Sequence, residues 1–338
     1  MRSPRIKEPG AGYYHVISRI VDRRPVVDSG EKERFTRLMR ATEGFSGCRV
    51  LAHTVLDNHF HVLLHVPKRE EMDDTELFHR LGFLYGKQEV ETIRAMLRSF
   101  LEQGLEHAAG QLRAKYLQRM YDLSEFVKTL KQRYSQSYNR RHGRKGTLWE
   151  ERFKSVLIGG HEGALHAVAA YIELNAVRAG IVADPKDYRF CSYGEATAGC
   201  SQAREGIRTL MMSADPQADW DRLAGQYRTL LYVKGAARGA AETGGPVRPG
   251  FAPEQVKAVE QADGALSLGE LLRCRVRYFT DGAILGTRVF VEDAFQRHRG
   301  SFSRKRTSGA RTMVGGDWAG LCTARRLRLD VTGAPLLL

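Results

Sequence analysis

Cysteine is scarce in this chain: five residues in 338, at Cys48, Cys191, Cys200, Cys274 and Cys322, with no CxxC pair among them. That scatter argues against a thiolate zinc site and against a disulfide framework, and it suits a reducing compartment. Long apolar runs are missing too. No stretch approaches the roughly 18 consecutive apolar residues of a membrane span, and the opening MRSPRIKEPG has no apolar signal core, so a soluble, cytoplasmic protein without a membrane partner is expected. Internal repeats are not evident. Acidic residues fall short of basic ones, 39 against 53, for a net charge of +14. The excess suits a polyanionic partner better than a small neutral substrate, although a merely basic surface has the same composition. With 42% hydrophobic residues there is enough apolar material for a sizeable core, and the length calls for more than one compact domain.

The pattern along the chain mixes strands and helices. GYYHVISRIV, Gly12 to Val21, reads as a strand, and Glu31 to Phe45 as a helix ended by Gly47. Two apolar runs, Cys48 to Leu56 and His59 to Val66, are separated only by Asp57 and Asn58, which predicts an antiparallel hairpin. Several helices are expected between Asp73 and Ser135, a strand at Ser155 to Ile158, and one helix running from Glu162 to a stop at Gly180. The texture becomes small and polar after Ala196, so the main boundary is placed near residue 198. Domain one is then 1–198 with a helical insertion at about 73–122, and an accessory region covers 199–338. In that region helices are expected at Trp220 to Leu231 and Pro253 to Ala262, with a linker at about 242–250.

The sharpest local feature is NHFHV. Strand side chains alternate faces, so His59 and His61 point the same way with Cα atoms roughly 6.6 Å apart, while Phe60, Val62 and Leu64 face the core. Such a pair suits one divalent ion, but taken alone two strand histidines with ordinary hydrogen bonds are the commoner case. Zinc-hydrolase patterns fail, since residue 63 is Leu and HExxH is absent. His65 has the right parity but lies roughly 13 Å along the strand; the reach of His53 depends on register. On a separate predicted helix, Tyr171 and Asn175 are four apart, which places a phenol and an amide on one face. A tyrosine can attack phosphorus and an amide oxygen can ligate a hard cation.

Four motifs occur in order: HFH after VLDN, YNRRHGRKGTLWEERFKSVLI from Tyr138, YIELNAVRAGIV from Tyr171, and DYRFCSYGEA from Asp187. Together they resemble the single-tyrosine HUH transposases, in particular the REP-associated tyrosine transposase branch, over roughly residues 10 to 196. The resemblance implies an α+β fold, an antiparallel sheet with packed helices in the ferredoxin-like manner of HUH endonucleases, followed by a mainly helical C-terminal extension. It implies that His59 and His61 bind Mg²⁺ or Mn²⁺ with Asn175 as third ligand, and that Tyr171 is the nucleophile. It further implies cleavage and rejoining of single-stranded, hairpin-forming DNA through a 5′-phosphotyrosine link, by a monomer or homodimer associated with the nucleoid. Two other classes stay open: a DNA-binding regulator that does not cleave, and a metal-dependent nucleic-acid hydrolase that uses water.

A DNA contact is expected between residues 131 and 154. There Lys131, Arg133, Arg140, Arg141, Arg144, Lys145, Arg152 and Lys154 interleave with Tyr134, Tyr138, Trp149 and Phe153, a mixture suited to phosphate contacts and base stacking, although Trp149 and Phe153 are expected to turn inward. Tyr134 and Tyr138 are rival nucleophiles by proximity. They rank below Tyr171 because their i+4 neighbours are Tyr138 and His142 rather than a matching ligand. The basic run Arg297 to Arg311 suits an accessory electrostatic contact, or a solvated disordered segment.

Overall fold

The computed structural model describes residues 5–211, 219–233, 277–313 and 318–327. The linker at about 242–250 and the helix at Pro253 to Ala262 lie outside the described residues. By compactness the chain divides into one unit of residues 7–154 and another of residues 1–6 with 155–338. This division follows tertiary packing, whereas the boundary near 198 follows a change of composition.

The first unit is built on a three-stranded antiparallel sheet. Strand β1 (Gly12–Arg19) pairs with β3 (His59–Val66), which pairs in turn with β2 (Arg49–Val55). The β2–β3 hairpin turns at Asp57 and Asn58, as the sequence predicts. Helix α1 (Ser29–Ser46) precedes β2; the Asp28 carboxylate accepts the Glu31 amide at its start, and Gly47 ends it at φ 71°, a conformation that costs a side-chain-bearing residue. Phe35 of α1 packs on Phe60 and Tyr134 in the core. The expected insertion is three helices, α2 (Asp74–Leu84), α3 (Lys87–Glu102) and α4 (Glu106–Leu117). They bury Leu77, Leu81, Ile93 and Leu97 in a cluster with Phe45 of α1, so the insertion has its own apolar seam. Helix α5 (Leu123–Arg141) then packs along α1.

The second unit begins with β4 (Lys154–Ile158), whose residues from Ser155 onward belong to it. Helix α6 (Glu162–Glu173) and the single turn α7 (Asn175–Arg178) follow, then α8 (Ser192–Thr197), α9 (Ser201–Leu210) and α10 (Trp220–Val233). The helix expected to run unbroken to Gly180 is interrupted at Leu174, where the backbone relaxes to ψ 1°. Beyond residue 276 the chain gives α11 (Arg277–Asp281), β5 (Gly282–Gly286), α12 (Arg288–Arg297), β6 (Arg311–Thr312) and β7 (Cys322–Arg325). Among the described residues of the extension helix outweighs strand, as expected, and three short strands accompany the helices. Strand β5 pairs parallel with β4 and antiparallel with β7, so the extension completes a sheet with the segment before residue 198.

Candidate functional site

Strand parity delivers the two histidines to one face of β3. The residue opposite His61 on β1 is Ile17, and His15 lies two positions further along the same face. His15 is fully buried, and its Nε2 lies 2.9 Å from Nδ1 of His61, with the rings stacked. His59 Nδ1 sits 2.6 Å from Oδ1 of Asn58, the turn residue. Both members of the pair thus have Nδ1 engaged by a neighbour, which orients each ring. His61 is buried and His59 half-buried, so the pair lies at the margin of the core. Imidazole nitrogens on one face fit a divalent ion such as Mn²⁺. Among the described residues no cluster of three or more His, Cys, Asp or Glu side chains is arranged to hold a metal.

The other two histidines of the hairpin have separate surroundings. His65 stacks on Tyr13 at 4.6 Å, and burial together with Arg49 lowers its pKa. His53 is fully buried on β2.

In the second unit, Tyr171 lies on the last turn of α6 and is only 2% exposed. Its ring is held between the Arg178 guanidinium, 4.0 Å from the centroid, and Phe279 of α11 at 4.9 Å. Arg178 also donates to the Tyr171 carbonyl at 3.2 Å. Asn175 Nδ2 donates to the carbonyls of Tyr171 and Ile172 at 3.0 and 3.3 Å. The amide thereby reaches back to carbonyls of the last turn of α6.

Between Tyr171 and Asn175 sits a group that sequence reasoning missed. Glu173 is fully buried, accepts from the Tyr193 amide and the Tyr227 hydroxyl at 3.2 Å each, and is pushed up to about 7 by burial. Arg178 and Phe279 were missed likewise. The signal for Arg178 lay in the quoted motif, seven residues after Tyr171; none marked Phe279.

The basic segment divides by how much of each side chain the fold consumes. Lys131 donates to the Glu151 carbonyl, Arg133 to the Leu84 carbonyl, Arg141 pairs with Glu31 at 2.6 Å, and Lys154 with Glu151 at 3.2 Å. Arg144 lies over the Tyr138 ring at 5.9 Å. Arg140, Lys145 and Arg152 are exposed and make no such internal contact among the described residues. The aromatic side chains are not stacking platforms: Tyr134, Tyr138 and Phe153 are buried, and Trp149 donates its indole N–H to Ser135 at 2.7 Å. Both rival nucleophiles are turned inward, Tyr134 donating to Glu31 at 3.2 Å and Tyr138 to the Val26 carbonyl at 3.4 Å. Burial, and then the Glu31 charge, raise the Tyr134 pKa far above that of a free phenol.

No helix among the described residues is long and apolar enough to cross a membrane. The family model described as "Transposase IS200 like" matches residues 10–76. That segment contains His15, Asn58, His59 and His61, and it stops well before Tyr171. Among solved structures, that of a REP-associated tyrosine transposase bound to a REP hairpin is similar at 15% identity, covering 59% of this chain and 87% of its own, with a TM-score of 0.38. No curated protein matches the chain. The similarity to the IS200-like transposase family model is thus confined to residues 10–76, the segment that carries the histidine pair.

Proposed function

We propose that the protein is a DNA transposase that cleaves and rejoins single-stranded, hairpin-forming DNA, with Tyr171 as nucleophile. The observation that carries this reading is the same-face pair His59 and His61, each with Nδ1 engaged, inside the segment that matches the transposase family. The Tyr171 oxygen attacks the scissile phosphorus and loses its proton. The bond from phosphorus to the 3′ oxygen breaks, leaving a 3′-OH and a 5′-phosphotyrosine. Attack by a DNA hydroxyl on that link reverses the step without an external energy source, because the ester bond is conserved.

A free phenol has a pKa near 10, so the nucleophile needs help. The Arg178 guanidinium over the Tyr171 ring and Phe279 against it set the orientation of that side chain. His59 and His61, with Asn175, would hold Mg²⁺ or Mn²⁺, which when bound would supply charge neutralisation at the phosphate. Arg140, Lys145 and Arg152 are the side chains in the basic segment best placed to contact the DNA backbone.

Near-complete burial of Tyr171 favours a second reading, a DNA-binding regulator that does not cleave. Incubation with labelled hairpin oligonucleotides and Mg²⁺ or Mn²⁺, resolved on a denaturing gel, separates the two. A covalent adduct is expected with the native protein and none with Tyr171→Phe. Cleavage that persists in Tyr171→Phe without an adduct makes the enzyme a hydrolase; binding without cleavage under every metal makes it a regulator.

A further inference from the structure

The basic run from Arg297 to Arg311 was expected to be a solvated segment or an electrostatic contact, and the structure gives it a shape. Arg299 donates to the carbonyls of Ser303, Arg304 and Arg306 at 3.0, 2.9 and 2.7 Å. Arg306 donates to those of Ser308, Gly309 and Arg325 at 2.9, 2.6 and 2.5 Å. Two guanidiniums thereby satisfy the backbone of a loop that has no regular secondary structure of its own. Gly309 seats the loop on α12, where a Cβ would meet the Phe295 Cβ at 2.2 Å and its ring at 2.5 Å.

Folding the loop this way gathers charge. A cleft of about 550 Å³ is lined by Lys305, Arg306, Arg311, Arg325 and Arg326, together with Tyr278 and hydroxyls of Ser303, Thr312 and Thr323. No carboxylate lines it among the described residues; beside it, Asp281 lies 3.9 Å from Arg325, and Glu292 binds the loop amides of Gly309 and Ala310. Lys305, Arg311 and Arg326 are exposed and form no ion pair among the described residues. Arg326 is also held at φ 62°, a left-handed conformation unfavourable for a residue with a side chain. Burial, then the neighbouring Arg311, partly offset by Glu292, depress the Arg306 pKa. Like charges crowded together and strained backbone are both unfavourable, and a bound anion relieves the first.

We propose that this cleft is a second DNA contact, seating a backbone phosphodiester between Lys305, Arg311 and Arg326, with Arg299 and Arg306 shaping the loop. It rests on the reading above only in taking DNA as the partner. The lining suits an anion with several acceptor oxygens, and hydroxyls beside guanidiniums match how protein groups hold phosphate while leaving bases unread.

The test uses the full chain and a fluorescent hairpin oligonucleotide, with anisotropy followed across a series of salt concentrations. The logarithmic salt slope is expected to fall by about 0.9 for each phosphate contact removed, so by roughly 1.8 in the Arg311→Gln, Arg326→Gln double variant, with affinity at least about tenfold weaker. Replacing both with lysine restores the slope. Lys305→Gln, on the exposed loop, gives an independent loss of about 0.9 should the double variant melt early. Unchanged slope and affinity in folded variants overturn the proposal, as does displacement of the DNA by millimolar inorganic phosphate at constant ionic strength, which makes the cleft a free-anion site. Parallel adduct assays keep the two readings apart. An adduct with unaltered slopes sinks this cleft alone, and altered slopes without an adduct sink strand transfer alone.

Discussion

Glu31 illustrates how much one carboxylate organises. It is 3% exposed and receives Arg141 at 2.6 Å, His142 at 3.1 Å and the Tyr134 hydroxyl at 3.2 Å. Burial alone pushes its pKa up; Arg141, His142 and Tyr134 outweigh that and hold it below the usual carboxylate range. A depressed folded-state pKa means that the stabilisation is present above the unfolded value near 4.3 and is lost as pH falls through the lower folded value. Glu31→Gln is expected to cost about 2 kcal/mol at pH 7, less than a fully buried pair because Arg141 is partly exposed, and to flatten the acid limb. Urea denaturation at a series of pH values measures both; parallel native and variant curves down to pH 3 contradict the assignment. Arg141, expected to contact DNA, is thus substantially a structural residue. The histidine pair was legible because a strand has a period of two. The contact from His15 was not, since the register of β1 on β3 is set by the sheet rather than by either strand alone.

At the level of elements, the break at Leu174 is the informative departure. An unbroken helix would pair the Tyr171 carbonyl within its own ladder; here that carbonyl takes the Asn175 amide and the Arg178 guanidinium. Just before the break, Glu173 ties α6 to α8 through the Tyr193 amide and to α10 through Tyr227. Tyr227→Phe therefore removes a hydrogen bond to a buried acid, and a loss of roughly 1–3 kcal/mol is expected, read as a lower urea midpoint with an unchanged slope. If Tyr227→Phe is as stable as the native protein, α10 is not held through this contact. The hairpin and α1 were readable from turn residues, a cap and local periodicity. Short β5, β6 and β7 were not, because strands this brief carry too little alternation and owe their existence to one another.

Across the molecule, the surplus of positive charge is the property that composition stated outright and the fold then apportioned. Many of the basic side chains expected to touch DNA are spent internally, on carbonyls, on Glu31 or over aromatic rings. The exposed remainder, Arg140, Lys145 and Arg152 in one unit and Lys305, Arg311 and Arg326 in the other, suggests about six phosphate contacts. A logarithmic salt slope of about −4 to −5 for hairpin DNA follows, by filter binding between low and moderate salt. A slope near −1 means that the charge surplus serves solubility instead. What no local pattern disclosed is which distant segments meet, as Phe279 meets Tyr171.

The parallel pairing of β4 with β5 joins Ile158 to Leu285 and has a bearing on biosynthesis. Synthesis at about 5–20 residues per second leaves the edge of β4 that β5 will occupy without its neighbour for several seconds after it leaves the ribosome. That edge is the apolar run Val156, Leu157 and Ile158, fully buried once folding is complete. A nascent chain stalled before residue 282 presents it as a template for other strands, so the extension also acts late, as the segment that closes off aggregation.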